Sequence, residues 1–477
     1  MKHENLILLA DAYKYAHHKF YYPGTTEIYS YLESRGGMFD ETIFFGLQYI
    51  LKEYLEGQAF TQEDLDEAAA FLPQVFGRDD VFDKSKFQYI LDKYDGYLPV
   101  KIKAVAEGTA VQTGNVLMTI ENTDPECFWL TNFLETLLMQ VWYPCTVATL
   151  SNEVKKVVTQ FYSETATEGA EAGIDFVLND FGFRGVSSVE SAKIGGAAHL
   201  LNFSGSDNLA GSGMAIKYYN AKKVYGLSIP ATEHSICTLL GKDGELEVFR
   251  HVLKTFPTGT IACVSDSYNI FKACEDYWGT ELKDLILNRK GTLVIRPDSG
   301  DPIMTLLEVF EILFEKFGYT TNPKGYKVLP PQVRIIQGDG VNYVAIKEIY
   351  SALKEHGISA ENLVLGMGGA LLQKVDRDTQ RFAIKCSSAI INDKLVRVEK
   401  SPTEIDSNGK ITESFKKSKA GRLKLVKING IFKTVEQNDL LDCDDMLQTI
   451  FENGKIVTEF DFEQVKANIN EKDTVSC

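Results

Sequence analysis

Short apolar runs alternate with longer segments of helical period through the middle of the chain. The run "GTIACVSDS" is followed by "YNIFKACEDYW", and "QVRIIQGDG" is followed by "VNYVAIKEIYSALKEHG". The same order of apolar run, polar turn and helical segment recurs from "IDFVLNDFGFRG", "GTLVIRPDSGDP" and "ENLVLGMGG". Such alternation predicts parallel β/α units, which a barrel closes without exposed edges. The turns that follow the strands then gather at one face of the barrel.

Two of the predicted helices carry recognisable starts. Asp301 is a plausible N-cap, with Pro302 at the first helical position. Ser187 and Glu190 have the spacing of a capping box before "SAKIGGAAHLL".

The two flanks of the chain carry a different pattern. Residues 95–121 and the tail from Ser387 alternate apolar and polar positions between glycine-containing turns, which is typical of antiparallel strands. We therefore predict an α/β fold with a β/α barrel and a β-rich second domain formed by both flanks. The predicted bounds are 1–25 for an N-terminal segment that joins the barrel, 26–134 and 387–477 for the two parts of the β-rich domain, and 135–386 for the barrel.

Composition narrows the class of protein further. The 477 residues are enough for two or three domains, and the net charge of -16 argues against a nucleic-acid partner, which needs clustered Lys and Arg. The run "LILLA" is too short for a signal peptide, and no segment reaches the length of a membrane span. Eight cysteines without CxxC pairs predict reduced thiols and a cytoplasmic protein.

The turns after the predicted strands are rich in groups that a core excludes. They read "NDFGFRG", "SDS", "RPDSGDP", "QGDG" and "GMGG", and four of them contain aspartate. Asp, Ser and Gly are ordinary turn formers. Glycine-freed N–H groups also bind phosphate, while aspartates hold ribose hydroxyls or magnesium, so five such turns together indicate a phosphorylated sugar. No Walker motif occurs, and "GMGGAL" lacks the third glycine of a dinucleotide fingerprint.

The stretch "IPATEHS" places His234 beside Glu233, after a proline and before a short apolar run. A lone histidine in this setting is either a hydrogen-bonded core residue or a reactive group. The pattern by itself leaves both interpretations open.

Eight motifs taken together resemble the nicotinamide phosphoribosyltransferases. They appear in the family's order over nearly the whole chain: "DAYKYAHHKFYYPGTTEIYSY", "LNDFGFRGVSSVESAKIGGAAHLLNFSGSDNLAG", "IPATEHS", "VSDSY", "IRPDSGDP", "IQGDGVN", "GMGGALLQK" and "SKAGRL". The resemblance implies a type II phosphoribosyltransferase fold, an irregular α/β barrel with a β-rich second domain. It also implies a head-to-tail homodimer whose active sites lie at the subunit interface.

The resemblance further implies a reaction in which nicotinamide and 5-phosphoribosyl 1-diphosphate give nicotinamide mononucleotide and diphosphate, with Mg²⁺ and optional coupling to ATP hydrolysis. His234 would be the residue that ATP phosphorylates, with Glu233 as a possible orienting partner. Asp266, Arg296 and Asp298 would complete the catalytic set.

Nicotinamide is flat, neutral and aromatic, so its site needs ring faces and a group that recognises the amide. By resemblance, Phe181 stacks on one side and the partner subunit's Tyr13 on the other, with Arg296 in the same pocket. Asp207 would accept a hydrogen bond from the carboxamide NH2 and repel the carboxylate of nicotinate.

The phosphoribosyl and diphosphate groups would be bound by basic side chains and by turns at the strand ends. Outside the turns, a Lys or Arg is more often part of a solvated face. Asp298 would hold ribose hydroxyls, and the other implied positions are Arg35, Arg184, Arg377, Lys385, Lys419, Gly338, Asp339, Gly368 and Gly369.

Four positions depart from the family's pattern. Asn179 stands where the family usually has histidine, Phe183 replaces tyrosine, and Ala262 and Ala383 each replace serine. Ala262 puts one amide contact in doubt, Ala383 removes a phosphate donor, and the changes at 179 and 183 affect the approach to the site.

Two alternatives remain open on the sequence. One is a nicotinate phosphoribosyltransferase, from which Asp207 separates the first interpretation. The other is a catalytically silent ligand-binding protein on the same fold, against which the presence of His234, Asp207, Arg296 and Asp298 argues.

Overall fold

The computed structural model describes residues 4–405, 410–413, 417–439 and 443–470. These residues form two compact units. The β-rich unit contains Met1–Thr149, Lys217–Ala221 and Asp376–Cys477, and the barrel unit contains Leu150–Ile216 and Lys222–Val375.

The strands of the described residues have the following bounds: β1 (Thr25–Ser34), β2 (Glu41–Ile43), β3 (Val100–Ala104), β4 (Ala110–Gln112), β5 (Val116–Asn122), β6 (Leu178–Asp180), β7 (Ile261–Val264), β8 (Leu293–Arg296), β9 (Thr320–Thr321), β10 (Lys327–Val328), β11 (Val333–Gln337), β12 (Leu363–Met367), β13 (Phe382–Ile391), β14 (Lys394–Arg397), β15 (Thr403–Ile405), β16 (Ile411–Glu413), β17 (Leu423–Ile428), β18 (Ile431–Glu436), β19 (Gln448–Glu452) and β20 (Lys455–Ile456).

The α-helices have the following bounds: α1 (His17–Phe20), α2 (Leu47–Ile50), α3 (Gln62–Phe76), α4 (Lys84–Tyr94), α5 (Leu130–Phe133), α6 (Glu135–Leu138), α7 (Trp142–Thr165), α8 (Val189–Leu200), α9 (Leu209–Tyr219), α10 (His234–Cys237), α11 (Glu245–Thr255), α12 (Ile270–Lys272), α13 (Lys283–Leu287), α14 (Pro302–Phe317), α15 (Tyr343–Glu355), α16 (Gly369–Leu372) and α17 (Phe462–Asn470). Two π-helical segments, Leu51–Leu55 and Ala273–Glu281, continue α2 and α12.

The barrel unit is built on five parallel strands in the order β6-β12-β11-β8-β7. Isolated parallel bridges continue the pairing from β6 back to β7: Asp180 with Ser206, Gly205 with Leu227, and Ala231 with Ala262. The ring is therefore closed partly by short, irregular segments, and the predicted strand and helix alternation forms a barrel.

The interior of the barrel is apolar at the level of the strands. Ala262, Val294 and Ile336 form one buried cluster, and Phe181 and Val364 pack against it. These side chains come from successive parallel strands, so they seal the barrel beneath the turns at its carboxyl-terminal face.

The two predicted helix starts had different outcomes. Asp301 caps α14 as predicted, and its carboxylate accepts the N–H of Met304 at 2.9 Å. The capping box from Ser187 is wrong by one position, because Ser188 has the extended backbone that an N-cap requires and accepts the N–H of Ser191 at 3.0 Å.

The β-rich unit contains a seven-stranded sheet in the order β14-β13-β1-β5-β3-β19-β20. The first flank supplies β3 and β5, and the tail supplies β14, β19 and β20, so the two flanks join in one antiparallel sheet as predicted. Strand β13 begins at Phe382, inside the range predicted for the barrel, because it pairs with β1 along its length.

The N-terminal segment also differs from its predicted placement with the barrel. It lies in the β-rich unit, where the buried ring of Tyr15 packs edge-on against Phe76, Phe82 and Phe133. Burial of a large aromatic ring among three others fixes the segment there.

The cysteines follow the prediction of reduced thiols in most places. Six of them are free: Cys127, Cys145, Cys237, Cys263, Cys274 and Cys386. Cys443 is disulfide-bonded, contrary to the prediction, since a disulfide needs only proximity in the fold and no CxxC spacing. Cys477 lies outside the described residues.

Candidate active site

The carboxyl ends of the barrel strands carry most of the predicted site residues. Phe181 follows β6, Asp266 follows β7, and Arg296 ends β8 with Asp298 two residues later. Gly338 and Asp339 follow β11, and Gly368 and Gly369 follow β12. The sequence prediction that these turns share one face is met by the parallel pairing of their strands.

His234 is held by a hydrogen-bonded chain of three side chains. Its Nε2 lies 3.1 Å from Oδ1 of Asp266, and Oδ2 of the same carboxylate accepts the hydroxyl of Ser299 at 2.6 Å. The Asp266 side chain is 4% exposed, whereas that of His234 is 50% exposed. The buried Asp266 carboxylate is therefore held by Ser299 and in turn orients the accessible imidazole of His234. The Nδ1 of His234 has no hydrogen-bond partner among the described residues.

Glu233 does not orient His234, contrary to the suggestion from the sequence. Its carboxylate accepts the hydroxyl of Ser235. Glu233 is the N-cap position of α10 and His234 is the first helical residue, and adjacent side chains at a helix start point in different directions. The orienting carboxylate comes instead from Asp266, on the next strand end.

The short helix α10 is anchored to β7 by residues that the sequence did not single out. The thiol of Cys237, in the last position of α10, donates to the carbonyl of Val264 at 3.1 Å. The N–H of Val264 donates to the hydroxyl of Thr232 at 3.0 Å. These bonds tie both ends of the "TEHSIC" stretch to the strand that carries Asp266.

Phe181 and Arg296 form a stacked pair. The Cζ of the guanidinium lies 5.3 Å from the centroid of the Phe181 ring, within the range of a cation–π contact. A Cβ at Gly366 would stand 2.0 Å from the ring, so the glycine at this point of β12 makes room for Phe181. The sequence shows this glycine in "VLGMGG", but only the structure gives its reason.

Arg296 is also fixed by a carboxylate. Its Nε and Nη2 donate to Oδ1 of Asp298 at 3.1 and 2.7 Å. Gly338 lies alongside, where an added Cβ would stand 3.2 Å from Nη2 of Arg296. Three predicted site residues from two strand ends are therefore in contact range of one another.

Asp207 lies at the neighbouring segment end. Its backbone N–H donates to the carbonyl of Asp180 at 3.1 Å, and its exposed carboxylate accepts the hydroxyl of Ser228. Because Asp180 directly precedes Phe181, this bond sets the backbone of Asp207 beside the start of the Phe181 turn.

Asp180 itself is a structural carboxylate. It is fully buried and accepts the N–H of Gly182 at 2.7 Å and the amide of Asn208 at 2.9 Å. Burial raises its pKa above the usual range. Its two acceptors fix the turn that carries Phe181 and the loop that carries Asp207.

Three of the four residues that depart from the family's pattern lie in the barrel unit. The amide of Asn179 donates to the carbonyl of Leu365 at 3.1 Å, which braces β6 against β12. Ala262 is buried in the cluster that packs against Phe181. Phe183 is 40% exposed in the turn after Phe181.

Arg184 and Asp339 stand apart from these contacts. Arg184 is exposed in the same turn as Phe183 and has no ion pair with any described residue. Asp339 is exposed, and its carbonyl accepts the side chain of Gln337 at 2.7 Å.

The β-rich unit gathers a second group of predicted residues. Arg35, Arg377 and Lys385 line one open cavity of about 470 Å³. The other lining residues are Asp378, Arg381, Phe382, Ala383 and Lys400. Of these five, Ala383 alone was singled out from the sequence. Five basic side chains and one acidic side chain therefore surround this space.

The basic side chains of the cavity affect the pKa of Lys385. The pKa of Lys385 is lowered by burial first, and the neighbouring Arg35, Lys400 and Arg377 lower it further, against an opposing effect of Glu135. One terminal nitrogen of Arg35 is buried with no hydrogen-bond partner among the described residues. Both observations point to a site with surplus positive charge.

Lys419 and Tyr13 lie outside the lining of the cavity. Lys419 pairs with the buried carboxylate of Glu33, which also accepts Nε of Arg35 at 2.6 Å, so it is joined to the cavity through Glu33. Tyr13 is 59% exposed, and its ring lies 5.3 Å from that of His17.

Within the described ranges, no three His, Cys, Asp or Glu side chains cluster as a metal site. No helix there has the length and apolar character needed to cross a bilayer.

Two family profiles match the chain. Residues 176–455 match the nicotinate phosphoribosyltransferase (NAPRTase) family, and residues 5–102 match the N-terminal domain of nicotinamide phosphoribosyltransferase. The second profile covers the segment that contains Tyr13 and Arg35.

Curated relatives extend over the whole length. A nicotinamide phosphoribosyltransferase from Xanthomonas campestris is 45% identical over 473 residues, with 98% of each chain covered. Another from Acinetobacter baylyi is 30% identical, with 96% of each chain covered.

Solved structures bear on the fold. Nicotinate-nucleotide pyrophosphorylase from Pyrococcus furiosus superposes with a TM-score of 0.59 at 16% identity, over 99% of this chain and 98% of the other. Human nicotinic acid phosphoribosyltransferase gives 0.55 at 15% identity, over 97% and 93%. The predicted type II fold is confirmed, and the chain belongs to the nicotinate phosphoribosyltransferase family, among its nicotinamide phosphoribosyltransferases, and is a phosphoribosyltransferase.

Proposed function

We propose that the chain is a nicotinamide phosphoribosyltransferase of NAD salvage, which joins nicotinamide to 5-phosphoribosyl 1-diphosphate. The observation that carries this proposal is the backbone bond between Asp207 and Asp180, which sets an acidic residue beside the Phe181 turn. A ring-stacking side chain and an anionic acceptor at adjacent segment ends suit a flat base with an amide substituent.

The base is chosen by charge in this proposal. The carboxamide NH2 of nicotinamide donates to Asp207, whereas the carboxylate of nicotinate would face a like charge. Arg296 lies over one face of Phe181, and we place the base between the Phe181 ring and a second aromatic side chain. We assign that second ring to the partner subunit's Tyr13.

The transfer step exchanges one bond for another. The pyridine nitrogen of nicotinamide forms a bond to C1 of the ribose while the bond from C1 to the diphosphate oxygen breaks, and diphosphate leaves with the electron pair. Asp298, held by Arg296, accepts hydrogen bonds from ribose hydroxyls. Gly338, Gly368 and Gly369 leave backbone N–H groups accessible to phosphate oxygens.

The cationic cavity of the β-rich unit suits phosphate oxygens. The buried nitrogen of Arg35 lacks a partner among the described residues, and an anion would supply its acceptor. Binding would also relieve the repulsion that Lys385 experiences from Arg35, Lys400 and Arg377.

Two acidic groups of the barrel unit are suited to bind Mg²⁺. Mg²⁺ is commonly bound through one or two carboxylates together with substrate phosphates. Asp266 and Asp298 would hold it, since Ser299 links the two positions. When bound, the ion would neutralise charge on the diphosphate.

We assign the coupling to ATP to His234. With Nε2–H donated to Asp266, the lone pair of Nδ1 attacks the γ-phosphorus of ATP, and the bond to ADP breaks. The resulting ring is cationic, and the Asp266 carboxylate stabilises it through Nε2. Hydrolysis of the phosphohistidine later returns the imidazole and releases phosphate.

A homodimer in the cytoplasm completes the proposal. The N-terminal segment exposes Tyr13, Phe20 and Tyr22 at 59%, 80% and 70%. Exposed aromatic groups of this size are typical of surfaces that bind another chain. The six free thiols agree with a reducing compartment, to which the disulfide at Cys443 is an exception.

The test is a product assay with each base. Purified protein is supplied with phosphoribosyl diphosphate and Mg²⁺, with and without ATP, and mononucleotide formation from nicotinamide and from nicotinate is followed by mass spectrometry. We expect nicotinamide mononucleotide as the main product, with ATP lowering the nicotinamide KM. Product from nicotinate alone would transfer the assignment to the nicotinate enzyme.

A further inference from the structure

Arg381 occupies an unusual position at the edge of the cationic cavity. It lines the cavity and directly precedes β13. Its φ is +49°, in the left-handed region that residues other than glycine adopt at a cost. Asparagine, aspartate or glycine would fit this backbone better than arginine.

The surroundings hold Arg381 in this conformation. The preceding residue, Gln380, is fully buried, and its side chain donates to the hydroxyl of Thr42 at 3.0 Å and accepts the N–H of Phe39 at 2.9 Å. The N–H of Arg35 lies 3.2 Å from the carbonyls of both Gln380 and Arg381. The turn is therefore fixed on both sides, and its carbonyls position one of the cavity's cations.

Three residues around the start of β13 bring basic or small side chains to the cavity. Ala383 and Lys385 lie two positions apart in the strand and share a face, whereas Arg381 lies in the turn just before the strand. All three line the cavity. Ala383, which replaces the serine expected from the family's pattern, has no side-chain donor, and Arg381 lies two residues earlier in the same lining.

We propose that Arg381 is a phosphate-binding residue of this chain and supplies the donor that Ala383 lacks. This inference rests on the proposed function for the identity of the substrate, 5-phosphoribosyl 1-diphosphate. A guanidinium offers several donors to phosphate oxygens from a distance that a serine hydroxyl cannot span.

The central test replaces Arg381 with Asn. Arg381→Asn removes the charge and suits the left-handed backbone, so the variant should fold with an unchanged or raised Tm. The KM for phosphoribosyl diphosphate should rise about 3- to 30-fold, the effect of a charged hydrogen bond at a solvated site. Calorimetry with inorganic diphosphate should show a loss of affinity of the same size.

Matched variants separate binding from stability. Arg78→Asn removes an exposed arginine that pairs with the nearby Asp80, and it should leave the KM unchanged. Arg381→Gly removes the charge with no backbone penalty and should reproduce the loss. Ala383→Ser added to Arg381→Asn should restore part of the affinity.

The outcomes distinguish this inference from the proposed function. An unchanged KM and unchanged diphosphate affinity in both Arg381 variants would overturn the role of Arg381. Loss of Tm in step with affinity in Arg381→Gly would also overturn it in favour of a structural role. A wild-type protein that makes no nicotinamide mononucleotide, yet binds diphosphate through Arg381, would refute the proposed function alone.

Discussion

At the barrel mouth, His234 and Arg296 each contact a carboxylate, whereas the cavity of the β-rich unit is lined by five basic side chains and one acidic side chain. Asp266 bonds to His234 and Ser299, and Arg296 bonds to Asp298. In the cavity, the pKa of Lys385 is lowered by burial and by its basic neighbours.

The two regions are suited to different tasks. Groups that are already paired are oriented for chemistry, because they do not reorganise when charge develops. Basic groups held together against their mutual repulsion are suited to an anion, since its binding removes the repulsion. Substitutions in the two regions should therefore have different signatures.

The largest effect is expected from loss of the imidazole. His234→Ala should abolish covalent phosphate on the enzyme and the stimulation by ATP, because no other described side chain occupies its place beside Asp266. Intact-mass analysis under alkaline conditions, after incubation with ATP, measures the covalent phosphate. The control His251→Ala removes an exposed histidine of α11 and should retain the phosphate; phosphate that persists in His234→Ala would refute the assignment.

The next largest effect is expected from loss of the charge on Asp266, which pairs with His234. Asp266→Asn keeps the shape and removes the charge that stabilises the imidazolium, so the rate of phosphorylation should fall on the order of 10²- to 10³-fold. Ser299→Ala, which leaves the charge but loosens its orientation, should cost about 3- to 10-fold. Rapid-quench measurement with labelled ATP gives both rates.

The exposed Asp284 provides the control for this prediction. Asp284→Asn should leave the phosphorylation rate unchanged. Equal rates in Asp266→Asn and the wild type would show that the contact is not used in the reaction.

In the cavity of the β-rich unit, removal of a basic side chain should stabilise the ligand-free protein. Since the folded-state pKa of Lys385 is lowered, the unfolded chain binds this proton more tightly, and the charged amine opposes folding below that pKa. Lys385→Met should therefore raise the Tm of the ligand-free protein at pH 7 and weaken diphosphate binding about 3- to 10-fold. The difference in Tm should shrink as pH rises through the lowered pKa.

Calorimetry and thermal melts from pH 7 to pH 10, with and without diphosphate, measure this prediction. Lys84→Met, which removes an exposed pair with Asp66, is the control. A Lys385→Met variant that is less stable without ligand but equally stabilised by diphosphate would contradict the account of the cavity.

Local patterns were sufficient for the barrel. The strand-forming runs that became β7, β8, β11 and β12 are continuous and apolar, and Asp301 is followed by a helix with its own proline start. These signals act over a few residues, so they survive in the fold.

Contacts between distant positions were beyond the sequence. Asp266 and His234 are 32 residues apart, whereas the adjacent Glu233 was the obvious partner by position. The cavity contributions of Arg381 and Lys400 depend on a cavity that only the fold creates. Tyr15 is fixed by three rings from other elements, so the placement of the N-terminal segment could not be derived from its own pattern.

The choice of nicotinamide by Asp207 is tested most directly by the ratio of kcat/KM for nicotinamide over nicotinate in the wild type and in Asp207→Asn. The wild type should prefer nicotinamide by a wide margin. The variant keeps the shape and loses the charge, so the ratio should narrow roughly tenfold, as expected for a charged hydrogen bond at a partly solvated carboxylate. A wild-type preference for nicotinate, or a ratio that the substitution leaves unmoved, would contradict the account.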